Sequence, residues 1–177
     1  MYMNKNKIIY IMKLYIYIYT YIYMFSGNDA DEIIPRLWLG NYKSSQDINF
    51  IKKNNISLII NCTKNIPSIN TRGVDVYRVP VEDNLDPVEI DRMTICIREI
   101  LPIIHKAYMM GRSILVHCVA GMQRSAIVVL SYVYVYHIHN IKKILRLMKK
   151  RRPIVFTPQM NFSVSFMANY GNGDYKL

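Results

Sequence analysis

Cysteine is scarce, with three residues in 177, at positions 62, 96 and 118. An odd, small number cannot close into a disulfide framework, so the chain is not a cross-linked secreted scaffold, and a reactive thiol in it requires a reducing, cytoplasmic compartment. Metal-ligand spacing is also missing, because His105, His137 and His139 stand in no zinc pattern with Cys62 or Cys96; no metal and no cofactor is expected. Glycine is down to 7 residues in a chain rich in Ile, Tyr, Asn and Lys, a bias that marks AT-rich coding DNA of the kind found in large DNA viruses and some protists. Acid is short as well. Against 23 Lys and Arg there are 12 Asp and Glu, and the resulting formal charge of +11 steers acidic or phosphorylated partners, with nucleic acid and an anionic membrane as minor readings.

Long apolar sequence occurs in one place, from Ile8 to Phe25, broken by Lys13 and Thr20. Its length would suffice for a short membrane span, but its many tyrosines make a poor lipid-facing surface. A secretory signal flanked by Lys5 and Lys7 would conflict with a reduced thiol. The alternation of Tyr and Ile is also what a bare TA dinucleotide repeat encodes, with Met24 as a second start. Residues 1–25 are therefore read as a low-complexity extension, either disordered, membrane-associated or unselected. Residues 26–170 form one domain of ordinary size, and 171–177 a tail.

The most informative stretch is Val116-His117-Cys118-Val119-Ala120-Gly121-Met122-Gln123-Arg124-Ser125, set between the apolar run 114–116 and a helix-forming stretch from Ser125 to Tyr136. A strand that turns sharply into a helix leaves backbone N–H groups unpaired at the helix start, and with the helix dipole they converge on any anion in the turn. Gly121 lets the loop curl without a Cβ. The same field favours a thiolate, which makes Cys118 a candidate nucleophile. Arg124, six residues on, can lay a two-pronged donor across two phosphate oxygens. The hydroxyl of Ser125 falls where it can donate to the sulfur and ease its departure, and His117 orients the loop from behind. Lone cysteines are ordinarily small buried hydrophobes, and Cys62 and Cys96 are read so.

This His-Cys-x5-Arg-Ser sequence resembles the signature of the cysteine-dependent protein tyrosine phosphatase superfamily, and the filling Val-Ala-Gly-Met-Gln resembles its dual-specificity branch. The resemblance implies that the amides of Val119, Ala120, Gly121, Met122, Gln123 and Arg124 bind phosphate. It also implies a general acid on a separate loop. Val79-Pro80-Val81-Glu82-Asp83-Asn84 resembles the family's acid loop and selects Asp83, with Glu82 and Asp86 as neighbouring rivals and Asn84 orienting the acid.

The order of elements predicts an α/β fold, a central, mostly parallel sheet flanked by helices, with the phosphate loop between a strand and a central helix as in protein tyrosine phosphatases. Ile33 to Asn41 resembles the family's opening strand motif, followed by a helix capped by Ser44 or Ser45 and running to about Lys53. Strands are expected at 56–61 and 74–79. A long amphipathic helix carries Ile90, Met93, Ile97, Ile100, Ile104 and Tyr108, with Pro102 as a kink, and ends at Gly111. Beyond it, Ile141, Ile144, Leu145 and Met148 give one helix an apolar face, while the basic residues of 142–152, Arg152 among them, cover the rest as a solvated face open to acidic partners. A closing helix is expected over 158–170.

The resemblance implies hydrolysis of phosphotyrosine and phosphoserine or phosphothreonine in proteins through a cysteinyl-phosphate. The alternatives are an RNA 5′-phosphatase or a phosphoinositide phosphatase of the same superfamily, and a non-catalytic phosphopeptide-binding module. Uncharged Val119, Ala120, Met122 and Gln123 argue against the phosphoinositide reading, and retention of nucleophile, arginine and acid argues against the last.

Overall fold

In the computed structural model residues 27–171 are described. The extension expected over 1–25 and the tail over 172–177 lie outside them.

Five strands form one sheet: β1 (Ala30–Ile34), β2 (Leu37–Gly40), β3 (Ile56–Asn61), β4 (Asp75–Arg78) and β5 (Ser113–His117). Their order is β1-β2-β5-β3-β4. All neighbours run parallel except β1 and β2, an antiparallel pair joined through Pro35 and Arg36, the latter at φ 66°. The opening motif is thus a hairpin and not a single strand. β5 lies in the middle with all five residues buried, which explains its apolar run, since a parallel strand covered on both faces has no polar side to show. Successive side chains still part to opposite faces. Ile114 and Val116 join Leu37, Leu39, Leu58 and Ile60 under the main helical layer, whereas Leu115 packs with Ile51, Ile56 and Ile59 on the other face.

The helices are α1 (Tyr42–Gln46), α2 (Ile48–Lys53), α3 (Pro87–Met109), α4 (Arg124–Tyr136), α5 (Ile141–Arg151) and α6 (Ser163–Tyr170). α3 presents Met93, Ile97 and Ile104, each at 0% exposure, and burying each such side chain contributes about 2 kcal/mol. Pro102 lies inside α3 without ending it, and the chain leaves through Met110 and Gly111, the latter at φ 78°. α4 is buried from Arg124 through Val133, with Tyr132 at its core. No helix among the described residues is long and apolar enough to cross a membrane.

Three expectations need correction. Two short helices replace the single one after Gly40, because Asp47 interrupts it and caps the second, accepting from the amides of Asn49 and Phe50. The first is capped by Asn41, while the hydroxyls of Ser44 and Ser45 bond back to the carbonyls of Asn41 and Tyr42. The closing helix starts at Ser163 instead of Pro158, since the preceding segment is used to brace the phosphate loop. The third correction is Arg152, which is 2% exposed and not part of the solvated basic face.

Candidate active site

Cys118 follows the last residue of the central strand, where the chain breaks from the sheet and bends into α4. Strand neighbours β2 and β3 hold its base, and the amide of Cys62 donates to the carbonyl of His117 at 2.7 Å. The loop's geometry follows from where its carbonyls go. Val119 O accepts from the Tyr42 amide at 3.2 Å, Ala120 O from Arg152 Nη2 at 3.0 Å, Gly121 O from Arg152 Nε at 2.9 Å, and Met122 O from the Phe156 amide at 3.0 Å. Successive carbonyls are therefore turned outward to the surrounding elements. In a trans peptide the N–H points opposite to the C=O, so the amides of residues 120–123 face inward, toward the sulfur. The Gly121 amide donates to Cys118 Sγ at 3.2 Å. Gly121 sits at φ 69°, and a Cβ there would lie 2.5 Å from the Gly40 carbonyl oxygen, so only glycine fits.

Ser125 Oγ donates to Cys118 Sγ at 3.2 Å. Burial alone would push the Cys118 thiol up, but the Arg124 guanidinium, the Ser125 hydroxyl and the loop amides outweigh it and hold the thiol below the ordinary cysteine range. The Cys62 thiol, equally buried and beside Cys118, is pushed well up. His117 is 1% exposed with Nδ1 3.4 Å from the Cys118 carbonyl oxygen, and burial pushes its imidazole down to about 4. It is neutral at neutral pH, so the positive field on the thiolate comes from Arg124 and the amides, and His117 serves as a packed support.

Arg124 opens α4, and its buried side chain reaches toward the loop after β4. Its Nη1 donates to Val81 O at 3.0 Å, and its Nε is buried without a hydrogen bond among the described residues. A buried donor left open in this way is costly unless an acceptor arrives, and a phosphate oxygen would supply one.

The loop expected to carry the acid runs from Val79 to Asp86. Glu89, 6% exposed, reaches back from α3 to accept from the Glu82 amide at 2.9 Å and is itself held by Lys64 at 2.6 Å and Arg92 at 2.5 Å. Asp83 Oδ2 then lies 3.7 Å from Arg124 Nε. Of its rivals, Asp86 is occupied in capping α3, accepting from the Val88 amide at 2.9 Å. Asn84, expected to orient Asp83, makes no hydrogen bond to it among the described residues. Its Oδ1 accepts from the Asp86 amide at 3.0 Å, and the side chain that does hold Asp83 is Asn161, donating from Nδ2 to Oδ1 at 2.8 Å.

Four side-chain roles escape a reading by motif. Arg152 ties the loop carbonyls to Asp31, at 2.7 Å, and to the Asn28 carbonyl, at 2.9 Å. Gln123 clamps the carbonyls of Thr157 and Gln159. Asn161 and Glu89 fix the acid loop from opposite sides. Arg152 alone left a trace in the sequence, falling four residues after Met148 and eight after Ile144 on the buried side of the helical repeat. Among the described residues no group of His, Cys, Asp and Glu side chains converges to hold a metal.

A strand–loop–helix anion cradle with a low-pKa cysteine at its base, an arginine at its wall and a carboxylate across from it defines a cysteine-based phosphatase-type site. Residues 37–171 match the family described as dual specificity phosphatase, catalytic domain, and the chain belongs to that family. It is 30% identical over 107 residues to human dual specificity protein phosphatase 22, covering 60% of this chain and 55% of the relative. The mouse dual specificity protein phosphatase 15 is 30% identical over 128 residues, covering 72% and 52%. The chain spans about half the length of these curated relatives. The crystal structure of DUSP15 superposes with a TM-score of 0.68 at 28% identity, covering 80% of this chain and 87% of that one.

Proposed function

We propose that the domain is a dual-specificity protein phosphatase, hydrolysing phosphotyrosine and phosphoserine or phosphothreonine esters. The observation that carries this reading is the Cys118 sulfur, which receives the Gly121 amide and the Ser125 hydroxyl at 3.2 Å each beside the open Nε of Arg124. The Cys118 thiolate attacks phosphorus, forming a P–S bond as the ester P–O bond breaks. Arg124 and the amides of Val119 to Arg124 stabilise the charge on the equatorial oxygens. Asp83 gives its proton to the departing oxygen, then takes one from the water that attacks phosphorus. The P–S bond breaks, and Ser125 stabilises the sulfur as it leaves.

The uncharged Val119, Ala120, Met122 and Gln123 favour a protein ester over a polyphosphorylated inositol. Exposed Lys142, Lys143, Arg146, Lys149, Lys150 and Arg151 on α5 support acidic or multiply phosphorylated protein partners. Dependence on a thiolate supports a reducing compartment.

The test is Asp83→Asn. Turnover of a phosphothreonine peptide, whose alkoxide leaves badly, should fall by about 100-fold or more, and that of an aryl phosphate with an acidic phenol far less. Equal losses on both would remove Asp83 from the reaction. Phosphate release from triphosphate-ended RNA exceeding that from phosphopeptides would favour the RNA reading instead.

A further inference from the structure

We infer that Asn161, anchored by Gln123, is a positioning residue that sets which oxygen of Asp83 carries the proton; this deepens the proposed function and rests on Asp83 being its acid. Asp83 needs such a device because its own loop does not supply one. The loop's main chain is pinned just ahead of it, at Val81 O by Arg124 and at the Glu82 amide by Glu89. After Asp83 the nearby polar groups turn on one another, Asn84 to the Asp86 amide and Asp86 to the Val88 amide, and Leu85 turns at φ 59°. The Asp83 side chain is 27% exposed, and a partly solvated carboxyl with free χ angles would spend little of its time aimed at the leaving group.

Asn161 removes that freedom. Its Nδ2 donates to Oδ1 at 2.8 Å, which fixes the carboxyl plane and leaves Oδ2 on the side of Arg124, 3.7 Å from Nε. An acceptor already filled by an N–H is the poorer place for a proton, which leaves Oδ2, the oxygen nearer the phosphate cradle, to carry it once a bound phosphate occupies the Arg124 guanidinium. Asn161 is in turn held from its main chain. Its amide donates to Gln123 Oε1 at 3.1 Å, while Gln123 Nε2 donates to Thr157 O at 3.2 Å and Gln159 O at 2.7 Å, so the segment leading to Asn161 is gripped along its length. Gln123 is the N-cap of α4 and the covalent neighbour of Arg124. The general acid and the arginine that meets the transition state are thereby referred to one rigid frame, the start of α4.

The chosen comparison is Asn161→Ala, alone and combined with Asp83→Asn, on a phosphothreonine peptide and on an aryl phosphate with an acidic phenol. Asn161→Ala should lower kcat on the peptide by about tenfold, a part of the roughly 100- to 10,000-fold that a positioned general acid supplies. KM should be unchanged, and the aryl ester should be hydrolysed within about twofold of wild type, since it departs without a proton. In the Asp83→Asn background the substitution should cost nothing further. Gln123→Leu should slow the peptide more than the aryl ester through loss of the anchor, in addition to a loss common to both esters from its place in the phosphate loop, with denaturation curves recording its separate effect on stability. Equal slowing of both esters by Asn161→Ala, or a loss that persists without Asp83, overturns the inference. If Asp83→Asn itself shows no dependence on leaving group, it is the identity of the acid that fails, and the role of Asn161 fails with it.

Discussion

Arg152 offers the sharpest test of how the cradle is held. The substitution Arg152→Met keeps the length and much of the volume of the side chain while removing every donor. Four hydrogen bonds go with it, to Gly121 O, Ala120 O, Asn28 O and Asp31 Oδ2. The cost is set less by their number than by what is stranded. Asp31, with 15% of its side chain exposed, loses its cation, and two loop carbonyls lose their partners. Breaking a buried pair from one side costs roughly 3–5 kcal/mol, and since water reaches part of Asp31 the lower end, about 3 kcal/mol, applies here. That is a large share of the 5–15 kcal/mol that typically stabilises a domain, and it should lower the midpoint of thermal unfolding by about 10 °C. Urea denaturation of wild type, Arg152→Met and the double variant with Asp31→Asn would measure it. The double variant should regain part of the loss, because the stranded charge is gone. A single variant within about 1 kcal/mol of wild type would refute the reasoning and return Arg152 to the solvated face.

Cys118→Ser should abolish turnover yet still bind a phosphopeptide, because the cradle survives while the alkoxide is far less accessible than the thiolate; activity within about tenfold of wild type would remove Cys118 from the chemistry. Iodoacetamide should label Cys118 ahead of Cys62, whose thiol burial pushes up, and peptide mapping after partial alkylation would reveal the opposite order. Arg124→Lys keeps the charge but loses the fork, so kcat should fall by about 100-fold; an unchanged kcat with a raised KM would restrict Arg124 to binding. His117 makes stability depend on pH. Burial pushes its imidazole from an ordinary 6.5 down to about 4, against the pull of the Cys118 carbonyl and with help from Arg78 and Arg124. Between those values the unfolded chain binds the extra proton, so stability should rise with pH across the window and be lost as pH falls from about 6.5 to about 4, by about 3 kcal/mol. A His117→Gln variant should lose that slope, and a wild type whose stability is flat from pH 6.5 to 4.5 would contradict it.

The cradle was legible in the sequence because its parts are contiguous. Strand, cysteine, glycine, arginine, serine and helix lie within residues 113–136, so local rules of turn and helix start suffice to assemble them. What supports the cradle was not legible, because it comes from far along the chain: Arg152 to Asp31 spans 121 residues and Asn161 to Asp83 spans 78. No local rule links an asparagine in an irregular segment to an acid on another loop. The pairing expected of Asn84 with Asp83 meets the same limit, sequence adjacency standing in for a contact that folding supplies from Asn161. Arg152 was hidden differently. Its place on the buried side of α5 follows from the spacing of Ile144 and Met148, but its charge and its basic neighbours argue for the surface, and the partners that outweigh burial cannot be seen until the fold brings them. The second helical cap, Asp47, stands between the polar run Ser44-Ser45-Gln46 and the apolar Ile48, Phe50 and Ile51, which is a cap signal readable in the sequence itself.

The outward-turned carbonyls of the phosphate loop are fastened to Tyr42 near one end of the domain and to Arg152 and Phe156 near the other. Synthesis from the ribosome delivers these anchors in order, the nucleophile well before the last of them. A nascent chain that has exposed Cys118 and its strand already holds Tyr42 but still lacks Arg152 and Phe156, which turn the carbonyls of Ala120, Gly121 and Met122 outward. If the proposed function holds, a chain truncated before residue 152 should be inactive, although it contains Cys118, Arg124 and Ser125.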